Sequence, residues 1–549
     1  MTASSQTTRY TPREEVESKL STLRKTFQSG KTKSLAFRKW QLKQFWWLVT
    51  DNEDKFCQAL AKDLNRHEFE SYATDILALK QDILAHIEHL EEWSADEIPD
   101  AGFLMGTLGK ARIRKEPLGV ALIIGAWNFP FLLLLQPMIA AIAAGCTVML
   151  KPSELSSETE AILVSLVPQY FDPSCYTIIT GGPHEMQHIL SLKFDHIFFT
   201  GSASIARHVA AAAAKHLTPI VLELGGQGPA IVCRSADLVT AAKRICYAKF
   251  INAGQICLSV NHVFVDPPVH DEFVQQLVFW NQRFHGADKG EQSQMGKIVN
   301  EKNYDRLKSV VDQTKGKIVY GGTGDRAALK FKSTVVDGVE LDDSTLSQEL
   351  FGPILPVIKA TTEEALKKIN SLPHPLALYI FSQNNKEVEH IINNTLSGGV
   401  TVNDVMMHAG VHGAPFGGVG ESGYGFYHGK YGMDAFSHNR TVVNLPLWLD
   451  KVMGFRYPPF ALENKVKLEV KNKLGFKKGE TLEDQKVRRI SHHKTPWGTV
   501  LAVALAISWF VDAKYSTRER SWDLLTQAIS IMNRGREGLH LTNRWTKEF

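Results

Sequence analysis

The sequence predicts a doubly wound α/β protein, and three observations carry that prediction. Strand-like apolar runs alternate with helix-like runs from Val120 to Leu222, the stretch from Pro117 to Leu150 holds no charged residue, and a strand–glycine–helix turn follows Phe199. Continuous apolar strands belong to parallel sheets covered by helices on both faces, a fold that carries dinucleotides at its strand ends. The chain has 549 residues, enough for a large core and several domains. Its apolar share of 44% and charged share of 22% are those of an ordinary globular protein.

Taken in order, the chain opens with a helical pattern. Val16, Leu20, Leu23 and Phe27 share one face, behind Pro12 and acidic residues in the first turn. Amphipathic helix continues from Phe37 to Leu64 and from Tyr72 to Trp93, and Ala95 to Lys110 reads as a loop or hairpin excursion. The uncharged stretch from Pro117 is long enough for a membrane span, but Asn128, Pro130, Gln136 and Pro137 lie inside it. It divides better into a strand (Val120 to Ile124), a turn (Gly125 to Pro130), a buried helix (Leu135 to Ala144) and a strand (Thr147 to Leu150). Strands at Tyr176 to Thr180, His196 to Phe199 and Ile220 to Leu222, with a helix from Ser204 to His216, complete the first region. A second α/β region runs from about Gly226 to Asn403, with strands around Val357 and from Tyr379 to Phe381 and helices near Thr362 and Lys386. Pro415 to Gly425 is a glycine-rich loop; beyond Leu445 come a basic segment, Lys465 to Lys494, and an uncharged run, Thr495 to Val511.

Several functions are excluded at this stage. A net charge of +4 without a basic, aromatic-studded stripe argues against nucleic acid. The six cysteines are scattered with no CxxC pair, which fits a reducing compartment and speaks against structural zinc. Met1 to Tyr10 is polar and precedes Glu14, Glu15 and Glu17, so neither a secretory signal nor a transit peptide is expected.

The stretch Phe250 to Cys257 draws the chemistry together. A thiol follows a glycine-containing turn between a helical run (Ala241 to Phe250) and a strand-like run (Val260 to Val265). A nucleophilic cysteine acts as thiolate, so it is expected on an exposed turn or helix end; a small core residue is the alternative. Attack on a carbonyl creates an oxyanion, for which the Asn128 amide and the Cys257 N–H are candidate donors. Asn128 as a helix cap is the alternative. Glu223, a carboxylate between Leu222 and Leu224, suits a general base; a buried salt bridge is its alternative. Lys151 and Glu154, at a strand end, suit ribose hydroxyls or a plain surface turn. Gly201 and Ser202 open a helix whose N-terminus suits a pyrophosphate, although no full GxGxxG is present.

Together these residues resemble the aldehyde dehydrogenase superfamily. Glu223-Leu224-Gly225-Gly226 and Gly254-Gln255-Ile256-Cys257 look like its paired signatures, accompanied by Trp127-Asn128-Phe129-Pro130, Lys151-Pro152-Ser153-Glu154, Phe199-Thr200-Gly201-Ser202, Glu349-Leu350-Phe351-Gly352-Pro353 and Pro415-Phe416-Gly417-Gly418. Ala213 to Pro219 and Gly420 to His438 resemble the class 3 branch, which includes fatty aldehyde dehydrogenases. The resemblance covers roughly Val16 to Leu445.

The resemblance implies Cys257 as nucleophile, Asn128 in the oxyanion site and Glu223 activating water. It also implies Lys151 and Glu154 on the adenosine ribose, Gly201 and Ser202 near the pyrophosphate, and Glu349 and Phe351 on the nicotinamide ribose. The cofactor is then NAD, favoured because Glu154 repels a 2′-phosphate, with NADP also admitted. A Rossmann-like cofactor domain (residues 1–90 and 117–225), an α/β catalytic domain (226–405) and a bridging, dimer-forming element (91–116 and 406–446) are expected, followed by a basic linker and hydrophobic tail (447–549). The expected substrates are long-chain fatty aldehydes, with aromatic aldehydes as the alternative; a CoA-acylating enzyme and a membrane-tethered scaffold without activity are the rivals. Thr495 to Val511 reads as a membrane anchor, an interfacial helix or a helix docking on the other subunit, with membrane attachment and a cytosolic catalytic part preferred. The sequence departs from the family at Gln227, Ala206 and the pair Asn261-His262, none of which removes a catalytic group.

Overall fold

The computed structural model describes residues 10–285, 294–468 and 475–487. Its first compact unit, Met1–Lys451, is built on two parallel-rich sheets. The six-stranded sheet runs, edge to edge, through Gly423–Tyr424, Ile220–Glu223, His196–Thr200, Val120–Ile124, Thr147–Lys151 and Tyr176–Ile178. All its pairings are parallel except the edge pair Gly423–Tyr424 with Ile220–Glu223. The alternation of side chains explains why Val120 to Ile124 is apolar at every position. Ala121 and Ile123 face one core with the helix Leu132–Ala144, while Val120, Leu122 and Ile124 face a second core with Leu20, Leu23 and Val209. The uncharged stretch is therefore buried strand and helix, as its internal prolines and amides indicated.

The seven-stranded sheet is ordered Gly399–Val402, Ala377–Phe381, Pro229–Val232, His262–Val265, Ile354–Lys359, Thr334–Asp337 and Lys317–Tyr320, with only the last pair antiparallel. A two-stranded ribbon pairs Arg112–Pro117 with Ser437–Val442. The second unit, Val452–Phe549, is described only as short helical turns such as Lys465–Leu468.

Some expectations change. The helix expected from Phe37 to Leu64 is two helices, Leu35–Thr50 and Glu53–Leu64. They part at Asn52, whose side-chain amide donates back to the Leu48 carbonyl at 2.9 Å and so competes with the backbone ladder. The helix expected from Tyr72 begins at Glu68 and passes through a π-turn, Tyr72–Ile76, before Leu77–Ser94. The excursion Ala95 to Lys110 carries a π-turn at Gly102–Leu108. Among the described residues no helix is long and apolar enough to cross a membrane. Thr495 to Val511 lies outside the described residues.

Candidate active site

The turn that leads to Cys257 begins where the helix Leu238–Phe250 ends. Asn252, Ala253 and Gly254 take left-handed φ values of 48°, 52° and 71° in succession, which reverses the chain within three residues. Gly254 is needed twice over. Its φ disfavours a side chain, and a Cβ there would strike the Gly352 carbonyl oxygen. That close approach seats the Cys257 turn against the segment Glu349 to Pro353, in which Phe351 itself has φ 47°.

Asn128 belongs to the turn after the strand Val120–Ile124 and is 3% exposed. Its Nδ2 donates to the Gln255 carbonyl at 3.1 Å, and its own carbonyl accepts from Asn252 Nδ2 at 2.9 Å. The helix-cap alternative fails, because Phe131 occupies the cap of the helix Leu132–Ala144 without a side-chain bond. Glu223 ends the strand Ile220–Glu223 with both carboxylate oxygens buried and without a hydrogen-bond partner. The salt-bridge alternative fails too, and burial alone raises this carboxyl well above the usual carboxylate range.

Cys257 is half-buried, and its thiol does not sit in the exposed, thiolate-favouring place expected of it. Burial pushes the thiol up to about 12, and the negative charges of Glu349 and Glu223 add to the rise. The apolar neighbours Ile256 and Leu258, 5% and 9% exposed, signal that burial in the sequence. Glu349 is pushed up to about 7, burial outweighing the Gly226 N–H and the charges of Arg306 and Lys249. Its carboxylate lies where a Cβ on Gly225 would be, so the paired glycines leave room for it.

Two neighbours escaped the sequence reading. Lys249, 1% exposed, is held down to about 7 by burial against the pull of Glu349; a lone cation between Ala248 and Phe250 was its only signal. Tyr379, fully buried, donates its O–H to the Leu258 carbonyl at 2.5 Å and lies in the field of Cys257. A tyrosine in an apolar strand gives no local hint of that contact.

On the sheet's other strand ends, Lys151 closes the strand Thr147–Lys151 and donates to Glu154 Oε2 at 2.7 Å. The lysine side chain is 4% exposed and the glutamate 23%, so this is a sunken ion pair and not a surface turn. At Gly201 a Cβ would press on the Phe199 ring, and its N–H donates to the Glu223 carbonyl at 3.0 Å. Ser202 caps the helix Ala203–Ala214 through its hydroxyl. Phe351 meets Trp127 edge-on at 5.4 Å between ring centroids. These features fit a dinucleotide: a glycine cradle at a helix N-terminus, a carboxylate beside the first strand ends, and an orphaned buried carboxylate near the thiol. Among the described residues no group of three or more His, Cys, Asp or Glu is placed to hold a metal ion.

Two parallel-rich sheets bearing a thiol turn, a dry carboxylate and a glycine-lined helix start have the make-up of a nucleotide-dependent oxidoreductase. Comparison with known proteins gives the particular family. The family model described as "Aldehyde dehydrogenase family" matches residues 4–442. The dog protein "Aldehyde dehydrogenase, dimeric NADP-preferring" is 40% identical over 437 residues, covering 79% of this chain and 96% of the relative. The rat protein "Aldehyde dehydrogenase family 3 member A2" is 40% identical over 445 residues, covering 81% and 91%. The solved structure titled "Substrate bound state of Staphylococcus Aureus AldH" superposes with a TM-score of 0.76 at 35% identity, covering 80% of this chain and 98% of that one. The chain belongs to the aldehyde dehydrogenase family. It is an enzyme that oxidises aldehydes with NAD or NADP.

Proposed function

We propose that Cys257 attacks the aldehyde carbonyl, that Asn128 and the Cys257 N–H hold the resulting oxyanion, and that Glu223 activates the water that releases the acid from the thioester. The observation that carries this reading is the pairing of a half-buried thiol with a carboxylate that has no hydrogen-bond partner and lies within its electrostatic reach. NAD(P)+, when bound, supplies the hydride acceptor. Lys151, Glu154, Gly201, Ser202, Glu349 and Phe351 are the residues that would hold it. Glu154 disfavours a 2′-phosphate, but its bond to Lys151 offsets part of that charge, so both cofactors are accommodated with NAD preferred. The stages differ in their protons. Cys257 must lose one before attack, and Glu223 must be ionised before it can take one from water.

The substrates on this reading are long-chain fatty aldehydes. The class 3-like motifs support it, and so does the uncharged run Thr495 to Val511 between basic residues, which suits attachment to the membrane in which such a substrate is dissolved. The catalytic part would then stand on the cytosolic side. The name of the dog relative, "dimeric", supports a homodimer, with residues 91–116 and 406–446 as its bridging element, residues 1–90 and 117–225 as the cofactor domain and 226–405 as the catalytic domain. The test compares hexadecanal, hexanal and benzaldehyde by NADH absorbance, using the full chain, a chain ending at Lys451 and Cys257→Ala. Cys257-dependent turnover fastest on hexadecanal, with only the full chain floating with liposomes, is expected. Turnover confined to benzaldehyde would overturn the fatty substrate, and an active Cys257→Ala would overturn the site.

A further inference from the structure

The network that joins the two halves of the site has one cation at its centre. Arg66, just past the helix Glu53–Leu64, is 1% exposed, yet its guanidinium serves three separate stretches of chain. Its Nη1 donates to Asp75, its Nη2 to the Asn128 carbonyl, and its Nε to Asn252 Oδ1 at 3.3 Å. The guanidinium carbon also lies over the Phe129 ring, 4.6 Å from the centroid. Around it, Glu70 accepts from the Asn252 N–H at 2.7 Å, and Asp75 accepts from the Leu132 N–H at 3.0 Å, where the helix Leu132–Ala144 begins. Asn252 completes the circuit through its Nδ2, which donates to the Asn128 carbonyl at 2.9 Å and the Gln255 carbonyl at 3.2 Å.

We propose that Arg66 is the positioning residue that fixes the Asn128 amide relative to the Cys257 thiol. The inference rests on the reading that Asn128 and Cys257 form the reacting centre. A planar fork with five N–H donors reaches several acceptors at fixed angles, whereas an ammonium does not keep such angles. With Arg66 and Asn252 both donating to the Asn128 carbonyl, the main chain at Asn128 is pinned from two directions. One hydrogen of its side-chain amide is then spent on the Gln255 carbonyl, two residues before Cys257, which leaves the second oriented and unspent. Asp75 and Glu70 keep the buried cation neutralised, so their charges hold Arg66 in place without touching the reacting atoms.

The test is a double-mutant cycle. Arg66→Ala strands Asp75 and Glu70 as buried charges and risks unfolding, so the working variant is Arg66→Lys, which keeps the positive charge and loses the fork; thermal melts confirm that it is folded. Measured with hexanal and NAD+, Arg66→Lys is expected to lower kcat by about tenfold to a hundredfold, the scale on which small misplacements of reacting groups act, with the KM for NAD+ unchanged. In an Asn128→Ala background the same replacement is expected to have no further effect, because its action passes through Asn128. An unchanged kcat in Arg66→Lys, or an equal loss with and without Asn128, would make Arg66 a merely structural residue and overturn the proposal. Full activity in Cys257→Ala would overturn the site reading itself and the proposal with it, an outcome separable from the first two.

Discussion

Gly254 offers the sharpest test of how the Cys257 turn is built, because Gly30 supplies its control. Both residues are left-handed, at φ 71° and 78°. A Cβ at Gly30 meets nothing within 4 Å, whereas at Gly254 it meets the Gly352 carbonyl. Gly30→Ala should therefore cost only the backbone term, about 1–2 kcal/mol. Gly254→Ala should cost that and an overpacking term of about 1–3 kcal/mol, in total about 2–5 kcal/mol by the same principles. Since the strain is relieved by moving the chain that carries Cys257, turnover should fall by about a hundredfold, while Gly30→Ala keeps full activity. Urea denaturation of both variants, with hexanal turnover and the rate of Cys257 alkylation by iodoacetamide, gives all the quantities. Equal destabilisation of the two variants, or an active Gly254→Ala, would refute the claim that contact with Gly352 sets the turn.

Other consequences follow from the same geometry. Glu223→Gln should allow one fast turnover of NADH and then stall as acyl-enzyme, with steady-state rate down by about 10²–10⁴; a rate equal to wild type with no burst would remove Glu223 from the hydrolysis. Its folded carboxyl lies above the ordinary value, so the wild-type hydrolytic step should rise with pH through that raised value, and Glu223→Gln should flatten the profile. His196, buried against Phe436 at 4.7 Å between centroids, is pushed down from 6.5 to about 4 by burial. Its contribution to stability is complete above 6.5 and lost as pH falls through about 4, worth about 3 kcal/mol in all. His196→Phe should recover about 2 kcal/mol of the stability that wild type loses between about pH 7 and pH 5; identical losses in urea titrations would contradict it.

Much of this was legible in the residue order because the features are local. A strand such as Val120 to Ile124 shows its burial on both faces by having no polar position, and Gly254-Gln255-Ile256-Cys257 carries its turn and its thiol within four residues. What stayed hidden is what depends on distant chain. Nothing near Cys257 says that two carboxylates, Glu223 and Glu349, bear on its thiol and add to the rise that burial causes. The Asn52 break between two helices is equally silent, since it depends on a side-chain bond back to Leu48. Arg66 and Tyr379 look like an ordinary cation after a helix and an ordinary strand residue; only the fold gives them the Asn128 and Leu258 carbonyls.

The pairing of Gly423–Tyr424 with Ile220–Glu223 has a consequence for how the chain is made. The strand that ends in Glu223 waits for a neighbour about 200 residues downstream, and Arg112–Pro117 waits longer still for Ser437–Val442. On the ribosome, both sheets can gather their parallel strands while one edge beside the site still lies open. Nascent chains released before Tyr424 therefore carry an unpaired strand end at Glu223, the kind of edge that seeds aggregation. Those released after Val442 have every strand of the first unit's described residues in hand. Stop codons on either side of that narrow window should divide insoluble products from soluble ones.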